Sequence, residues 1–239
     1  MKNKIEVCLT PALFNLYSDR KSVVVVVDVL RATSAMCVAI EKGVENIIPV
    51  STVEEALDYK GKENHILAAE RNGKIVSGFD YGNSPLTYLK QDVKGKTLVV
   101  TTTNGTKAIN IAKVDHMVVI GSFLNISSLT TYLTDLSKDI IILCAGWKND
   151  FCLEDTLFAG ALINQLERTN HFESSSDSCS MANLIYNNAK DDMFVFLENS
   201  QHRKRLSDLN IIDDVIFCLK TNETSLIPIL VEDQIEAFK

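Results

Sequence analysis

The sequence predicts an α/β fold, a mostly parallel or mixed sheet covered by helices in a three-layer α/β/α arrangement. Short β-branched runs alternate with amphipathic segments along most of the 239 residues, the pattern of repeated βα units. Those runs are nearly continuous in apolar residues, Val23 to Val27 most clearly, which suits strands buried on both faces. Apolar residues make up 46% of the chain, enough to exclude disorder and fill a core. Residues 1–239 are therefore read as one α/β domain, with room for a second lobe in the C-terminal part.

In chain order, strands are expected at residues 5–9, 23–27, 46–50, 65–69, 97–100, 116–120 and 139–144. Helical patterns lie between several of them, at 31–42, 53–60, 106–112, 126–136 and 153–167, with Gly61 ending the second. The polar stretch 171–180 reads as a surface loop between two helices. Helical patterns continue to about Leu206, then at 211–218, before a final apolar run at 226–231.

Composition narrows the function. No apolar run approaches the ~20 residues of a membrane span, and the N-terminus lacks an apolar signal segment. Six scattered cysteines show no CxxC or Cys/His metal spacing, so they are expected as reduced thiols of a cytoplasmic protein. The net charge is −7, from 24 basic and 31 acidic residues. With no basic groove and 7% aromatics, nucleic acid is not an expected partner. His202-Arg203-Lys204-Arg205 is the one dense positive patch, sufficient for a small polyanion. The surplus of apolar residues is compatible with a homo-oligomer.

Chemistry-bearing residues follow the strands, where open parallel sheets bind ligands. Asp28 follows five valines; a shielded carboxylate there calls for a cation, and Mg²⁺ favours one or two such oxygens. Pairing with Arg31 would explain it equally well. Arg31, Thr33 and Ser34 open the next helix, where free backbone N–H groups suit an anion, although such hydroxyls also serve as plain caps. Thr101 to Thr106, including Thr102, Thr103, Asn104 and Gly105, forms a second candidate oxyanion loop. Glu70 and Arg71 follow another strand, and Glu154 and Asp155 start a helix. These acids could ligate metal or simply favour the helix start. Asp80 and Asn83 lie in a glycine-flanked loop. His202 is the histidine placed to protonate a leaving group.

Taken in order, these segments resemble the 2-phosphosulfolactate phosphatase family. The resemblance rests on residues 27–34 (VDVLRATS), 70–73 (ERNG), 78–85 (GFDYGNSP), 101–106 (TTTNGT), 121–125 (GSFLN), 144–146 (CAG) and 154–156 (EDT). A weaker match follows at Ser200-Gln201-His202 with Arg203, Arg205 and Leu206. It covers nearly the whole chain from about residue 24. It implies an α/β fold of the family's own kind and Mg²⁺-dependent hydrolysis of (R)-2-phospho-3-sulfolactate, a step of coenzyme M biosynthesis.

On that basis Asp28, Glu70, Glu154 and Asp155 are the expected metal ligands, and Asp28, Arg31 and His202 the catalytic groups. Thr33, Ser34, Thr102, Thr103, Asn104, Gly105 and Thr106 would hold the phosphate; Arg71, Asn83, Arg203 and Arg205 would hold the rest of the substrate. DxD-type phosphatases carry a second Asp two residues after the first, where this chain has Leu30, which speaks against a covalent aspartate of that type. Read from the residues alone, the pattern also serves a phosphatase for another small phosphorylated hydroxy acid, or a non-catalytic anion-binding protein.

Overall fold

The computed structural model describes residues 2–17 and 21–238. The strands are β1 (Asn3–Cys8), β2 (Val23–Val27), β3 (Asn46–Pro49), β4 (His65–Arg71), β5 (Lys74–Ile75), β6 (Thr97–Thr101), β7 (Met117–Gly121), β8 (Ile140–Cys144), β9 (Phe172–Ser174), β10 (Pro228–Val231) and β11 (Gln234–Ala237). The helices are α1 (Ala32–Glu41), α2 (Val53–Leu57), α3 (Pro85–Lys90), α4 (Gly105–Ala112), α5 (Ile126–Leu136), α6 (Leu153–Arg168), α7 (Asp177–Ala189), α8 (Met193–Phe196), α9 (Gln201–Asp208) and α10 (Ile212–Cys218). No described helix is long and apolar enough to cross a membrane.

The described strands form one sheet in the order β5-β4-β6-β3-β11-β10-β7-β2-β8-β1-β9. Two parallel blocks are visible in it: β4, β6 and β3, and then β7, β2, β8, β1 and β9. The C-terminal hairpin β10–β11 is antiparallel to both blocks and joins them through single residue pairs, Ile229 with Val119 and Ile235 with Ile47. Three antiparallel steps in a row reverse the strand direction between the blocks. The sheet is mixed for this reason.

Strand β2 shows why its valines are unbroken. Val23, Val25 and Val27 pack on one face with Leu129 of α5 and Leu157, Phe158 and Leu162 of α6. Val24 and Val26 pack on the other with Met36 and Ile40 of α1 and Ile109 of α4. Successive side chains point to opposite faces, so a strand with helices on both sides needs apolar residues throughout. At about 1.5–3 kcal/mol for each fully buried valine or leucine, this central strand contributes strongly to the core.

Two expectations need correcting. Residues 171–180 are not simply a loop, because Phe172 is buried and anchors edge strand β9 on β1, and α7 begins at Asp177. The helix expected over 53–60 stops at Leu57, where tighter bonds such as Lys60 N–H to Leu57 O, 2.9 Å, carry the chain to Gly61. All six cysteines are buried and free, Cys179 of the polar stretch included.

Candidate active site

The sheet is sharply curved where the candidate residues meet. Four strands separate β6 from β2, and five strand spacings of about 4.8 Å would set them about 24 Å apart in a flat sheet. Yet Gly105, opening the helix after β6, touches the turn after β2. A Cβ built on Gly105 would lie 2.9 Å from Asp28 Oδ2 and 2.7 Å from Ala32 Cβ. Glycine is therefore what lets the α4 backbone approach the Asp28 carboxylate.

Local hydrogen bonding explains the shape of both loops, and it uses up most of their hydroxyls. Asp28 N–H donates to Thr33 Oγ1 at 3.0 Å, and that hydroxyl donates back to the Asp28 carbonyl at 3.0 Å. Ser34 Oγ donates to the Val29 carbonyl at 2.9 Å and lies 3.0 Å from Ser122 Oγ. In the second loop, Thr106 N–H donates to Thr102 Oγ1 and Thr102 N–H to Thr106 Oγ1, both at 3.1 Å. Thr33, Ser34 and Thr106 thus direct their hydroxyl protons to backbone carbonyls rather than to an anion, whereas Thr102 Oγ1 accepts from the Thr106 N–H. Thr103 and Asn104 do border the cleft, although Asn104 Oδ1 also accepts from Lys148 N–H at 2.9 Å.

A narrow cleft of about 20 Å³ brings together Asp28, Arg31, Glu70, Asn83, His202 and Arg205. All but the last two are buried. Glu70, at the end of β4, accepts from the Gly73 N–H, and the turn that allows this has Asn72 at φ 54° and Gly73 at φ 81°. Asn tolerates the left-handed region better than most residues. Arg31 pairs with Asp214 of α10, and its other terminal nitrogen donates to the Gly73 carbonyl at 3.3 Å. Asp214 in turn accepts from Ser84 Oγ at 2.8 Å. Asn83 is 7% exposed, and its Oδ1 has no hydrogen-bond partner.

The acids differ in what surrounds them. Burial raises the pKa of Asp28 to about 6; the His202 charge and the Ala32 N–H pull it down, and Glu70 and Glu154 push it up. Asp155 is raised further, by burial and then by the Glu154 and Asp28 charges, against two backbone donors. Those donors are Val29 N–H to Oδ1 at 2.9 Å and Gly146 N–H to Oδ2 at 3.0 Å. Both oxygens of Asp155 therefore tie the turn after β2 to the turn after β8. Burial also works against charge on Glu154, but the charge and hydrogen bond of His202 outweigh it and hold that carboxyl below its usual range. Asp28 and Glu70 are the carboxylates on the cleft with no such commitment to a cationic or double backbone partner, and they could hold a hard cation.

Arg71 and Arg203 are not brought to this cleft. Arg71 Nη2 donates to Thr101 Oγ1 at 3.1 Å and its side chain borders a separate groove with Ser51 and Lys107. Arg203 donates to the Phe194 carbonyl and lies over the Phe194 ring, 3.7 Å from its centre. Only His202 and Arg205 of the basic patch reach the cleft, Arg205 stacking on Trp147 at 4.1 Å. The sequence reading missed Asp214. Its signal is faint, because Asp213-Asp214 at the head of α10 looks like ordinary compensation of the helix dipole.

A family model described as 2-phosphosulpholactate phosphatase matches residues 8–233. Similar relatives include a probable 2-phosphosulfolactate phosphatase of Caldanaerobacter subterraneus subsp. tengcongensis, 36% identical over 221 residues, covering 90% of this chain and 91% of the relative. One from Thermotoga petrophila is 40% identical over 207 residues, covering 87% and 88%. One from Clostridium novyi is 34% identical over 227 residues, covering 94% and 96%.

Proposed function

The chain belongs to the 2-phosphosulfolactate phosphatase family, and on that premise we propose that it is a Mg²⁺-dependent phosphatase converting (R)-2-phospho-3-sulfolactate to 3-sulfolactate and phosphate. The observation that carries the reading is the meeting of two buried carboxylates, Asp28 and Glu70, with Arg31 and His202 in one cleft. Burial is the main reason the pKa of Asp28 is raised, the Glu70 charge adds to it, and a cation would relieve both. An all-oxygen pair of this kind fits Mg²⁺, which takes one or two carboxylates beside substrate phosphate.

Asp28 and Glu70 would hold the ion, whose contribution when bound is to neutralise charge on the phosphoryl oxygens. Arg31 carries five N–H donors in a rigid fork. Asp214 and the Gly73 carbonyl engage two of its nitrogens and so aim the remaining donors at a phosphate oxygen. His202 is held at Nδ1 by Glu154, which leaves Nε2 to protonate the leaving alkoxide oxygen. Arg205 and Asn83 border the same cleft and would bind the carboxylate. Beyond Arg31 and Asn83 opens a cavity of about 370 Å³ bordered by Lys74 and Lys90, which would receive the sulfonate. Catalysis of this kind is mainly positioning and electrostatic stabilisation. The same reading assigns the step to coenzyme M biosynthesis and, with six free thiols, to the cytoplasm.

Phosphate release from phosphosulfolactate is to be compared with release from phospholactate, which lacks the sulfonate. The reading expects a clear preference for the sulfonate. Equal rates would remove the sulfonate pocket, and no turnover of either by folded protein would remove the phosphatase assignment.

A further inference from the structure

One cluster near the cleft is chemically unlike the rest. Among the described residues, Cys152, Glu154 and His202 are the group of three whose potential ligand atoms all lie within 4.8 Å of one another. Cys152 precedes α6, Glu154 lies in its first turn, and His202 comes from α9. Cys152 and Glu154 are buried and His202 is partly so. Glu154 Oε1 is taken by His202, whereas Oε2 is buried with only the weakly donating Cys152 thiol beside it. A buried acceptor so poorly satisfied is costly, and a cation would satisfy it. All three residues border one cavity of about 460 Å³, which Gln201 and Asp150 also line, so an ion has a way in.

A thiol, an imidazole and a carboxylate form a borderline-soft set. Three protein ligands with a fourth position left to water is a common arrangement for Zn²⁺. The hard Mg²⁺ has no use for sulfur. We propose that Cys152, Glu154 and His202 form a binding site for a thiophilic divalent cation such as Zn²⁺, distinct from the Asp28–Glu70 carboxylate pair. On binding, Cys152 coordinates as the thiolate and its proton passes to solvent. His202 coordinates through one ring nitrogen, whose proton also passes to solvent, and Glu154 through its carboxylate, so no redox partner is needed. An ion seated there takes His202 away from the leaving group. If the phosphatase reading above holds, Zn²⁺ therefore inhibits the enzyme.

The test uses the full-length protein and Co²⁺ as a coloured stand-in. The site predicts one Co²⁺ per chain with a thiolate-to-metal charge-transfer band, displaced by Zn²⁺ and absent in Cys152→Ser. Cys179→Ser, which alters a thiol buried elsewhere beneath β1, should keep the band. Direct titration should show Zn²⁺ bound at least about tenfold more weakly by Cys152→Ser. Near-ultraviolet circular dichroism checks that both variants are folded. No band in the wild-type chain, or a band that survives Cys152→Ser, would overturn the site. In a parallel assay each protein's Mg²⁺-supported rate is normalised to its own zinc-free value, and Zn²⁺ should depress the wild type and largely spare Cys152→Ser. A band without inhibition would reject the regulatory consequence. Because the band is read without turnover, failure of the metal site and failure of the phosphatase reading give different results.

Discussion

His202 Nδ1 lies 2.5 Å from Glu154 Oε1, so a carboxylate in the first turn of α6 fixes the ring of a residue on α9. A buried carboxylate at this distance from an imidazole orients the ring. The Glu154 carboxyl is held below its usual range because the charge and hydrogen bond of His202 outweigh the effect of burial.

Glu154→Gln keeps the size of that side chain and removes its charge. It should lower kcat at least about tenfold with little change in KM. His202→Asn should cost about 10²–10⁴ in kcat, the usual worth of a general acid. Steady-state kinetics over pH 5–9 check both. Unchanged kcat in both variants would remove His202 from the chemistry.

The raised pKa of Asp28 sets a pH dependence with a definite sign. The folded pKa is about 6 and the unfolded value about 3.9. Between them the folded chain holds a proton that the unfolded chain has released, so stability from this group falls as pH rises through 6. Mg²⁺ binds the carboxylate form and competes with that proton. Saturating Mg²⁺ should therefore raise Tm more at pH 7.5 than at pH 5, and EDTA should reverse the gain. In Asp28→Asn the Mg²⁺ shift should largely vanish at both pH values. A full shift in that variant would contradict the metal assignment.

Arg31 and Asp214 form a buried ion pair. Breaking one side leaves an uncompensated charge, so Asp214→Ala should cost about 3–5 kcal/mol in urea unfolding. Arg31→Ala with Asp214→Ala together should cost less than the sum of the single changes. Asp214→Asn, a gentler change, should raise KM more than it lowers kcat, because Arg31 loses its aim.

Gly105→Ala tests the close approach of α4. Its methyl would meet Ala32 Cβ at 2.7 Å and Asp28 Oδ2 at 2.9 Å, and overpacking of this kind costs about 1–3 kcal/mol. The Asp28 carboxylate must shift, so phosphatase activity should fall by at least about tenfold even where the protein stays folded.

Much of the frame was readable in advance. Val23 to Val27 and residues 126–136 became β2 and α5 with the expected bounds, because each carries a strong local pattern. The hairpin β10–β11 was not readable as the link between the blocks. Its pairs with Val119 and Ile47 lie more than a hundred residues away, and no local pattern records them. The same limit applies to the site. Asp28, Glu70 and His202 were marked by their places at strand ends or in a basic patch. Thr33, Ser34, Thr102 and Thr106 have the composition of an anion site, but hydroxyls so close to a helix start satisfy backbone groups of their own turn first. Arg203 does not reach the cleft because His202 and Arg205, three residues apart, share a face of α9, whereas Arg203, next to His202, is turned about 100° away around the helix.

The most direct measurement is phosphate release from (R)-2-phospho-3-sulfolactate by the purified wild-type chain, once with Mg²⁺ and once with excess EDTA. Turnover with Mg²⁺ that EDTA abolishes and added Mg²⁺ restores is the predicted result. Equal turnover in EDTA would contradict the cation role given to Asp28 and Glu70, and no turnover in either condition would contradict the phosphatase itself.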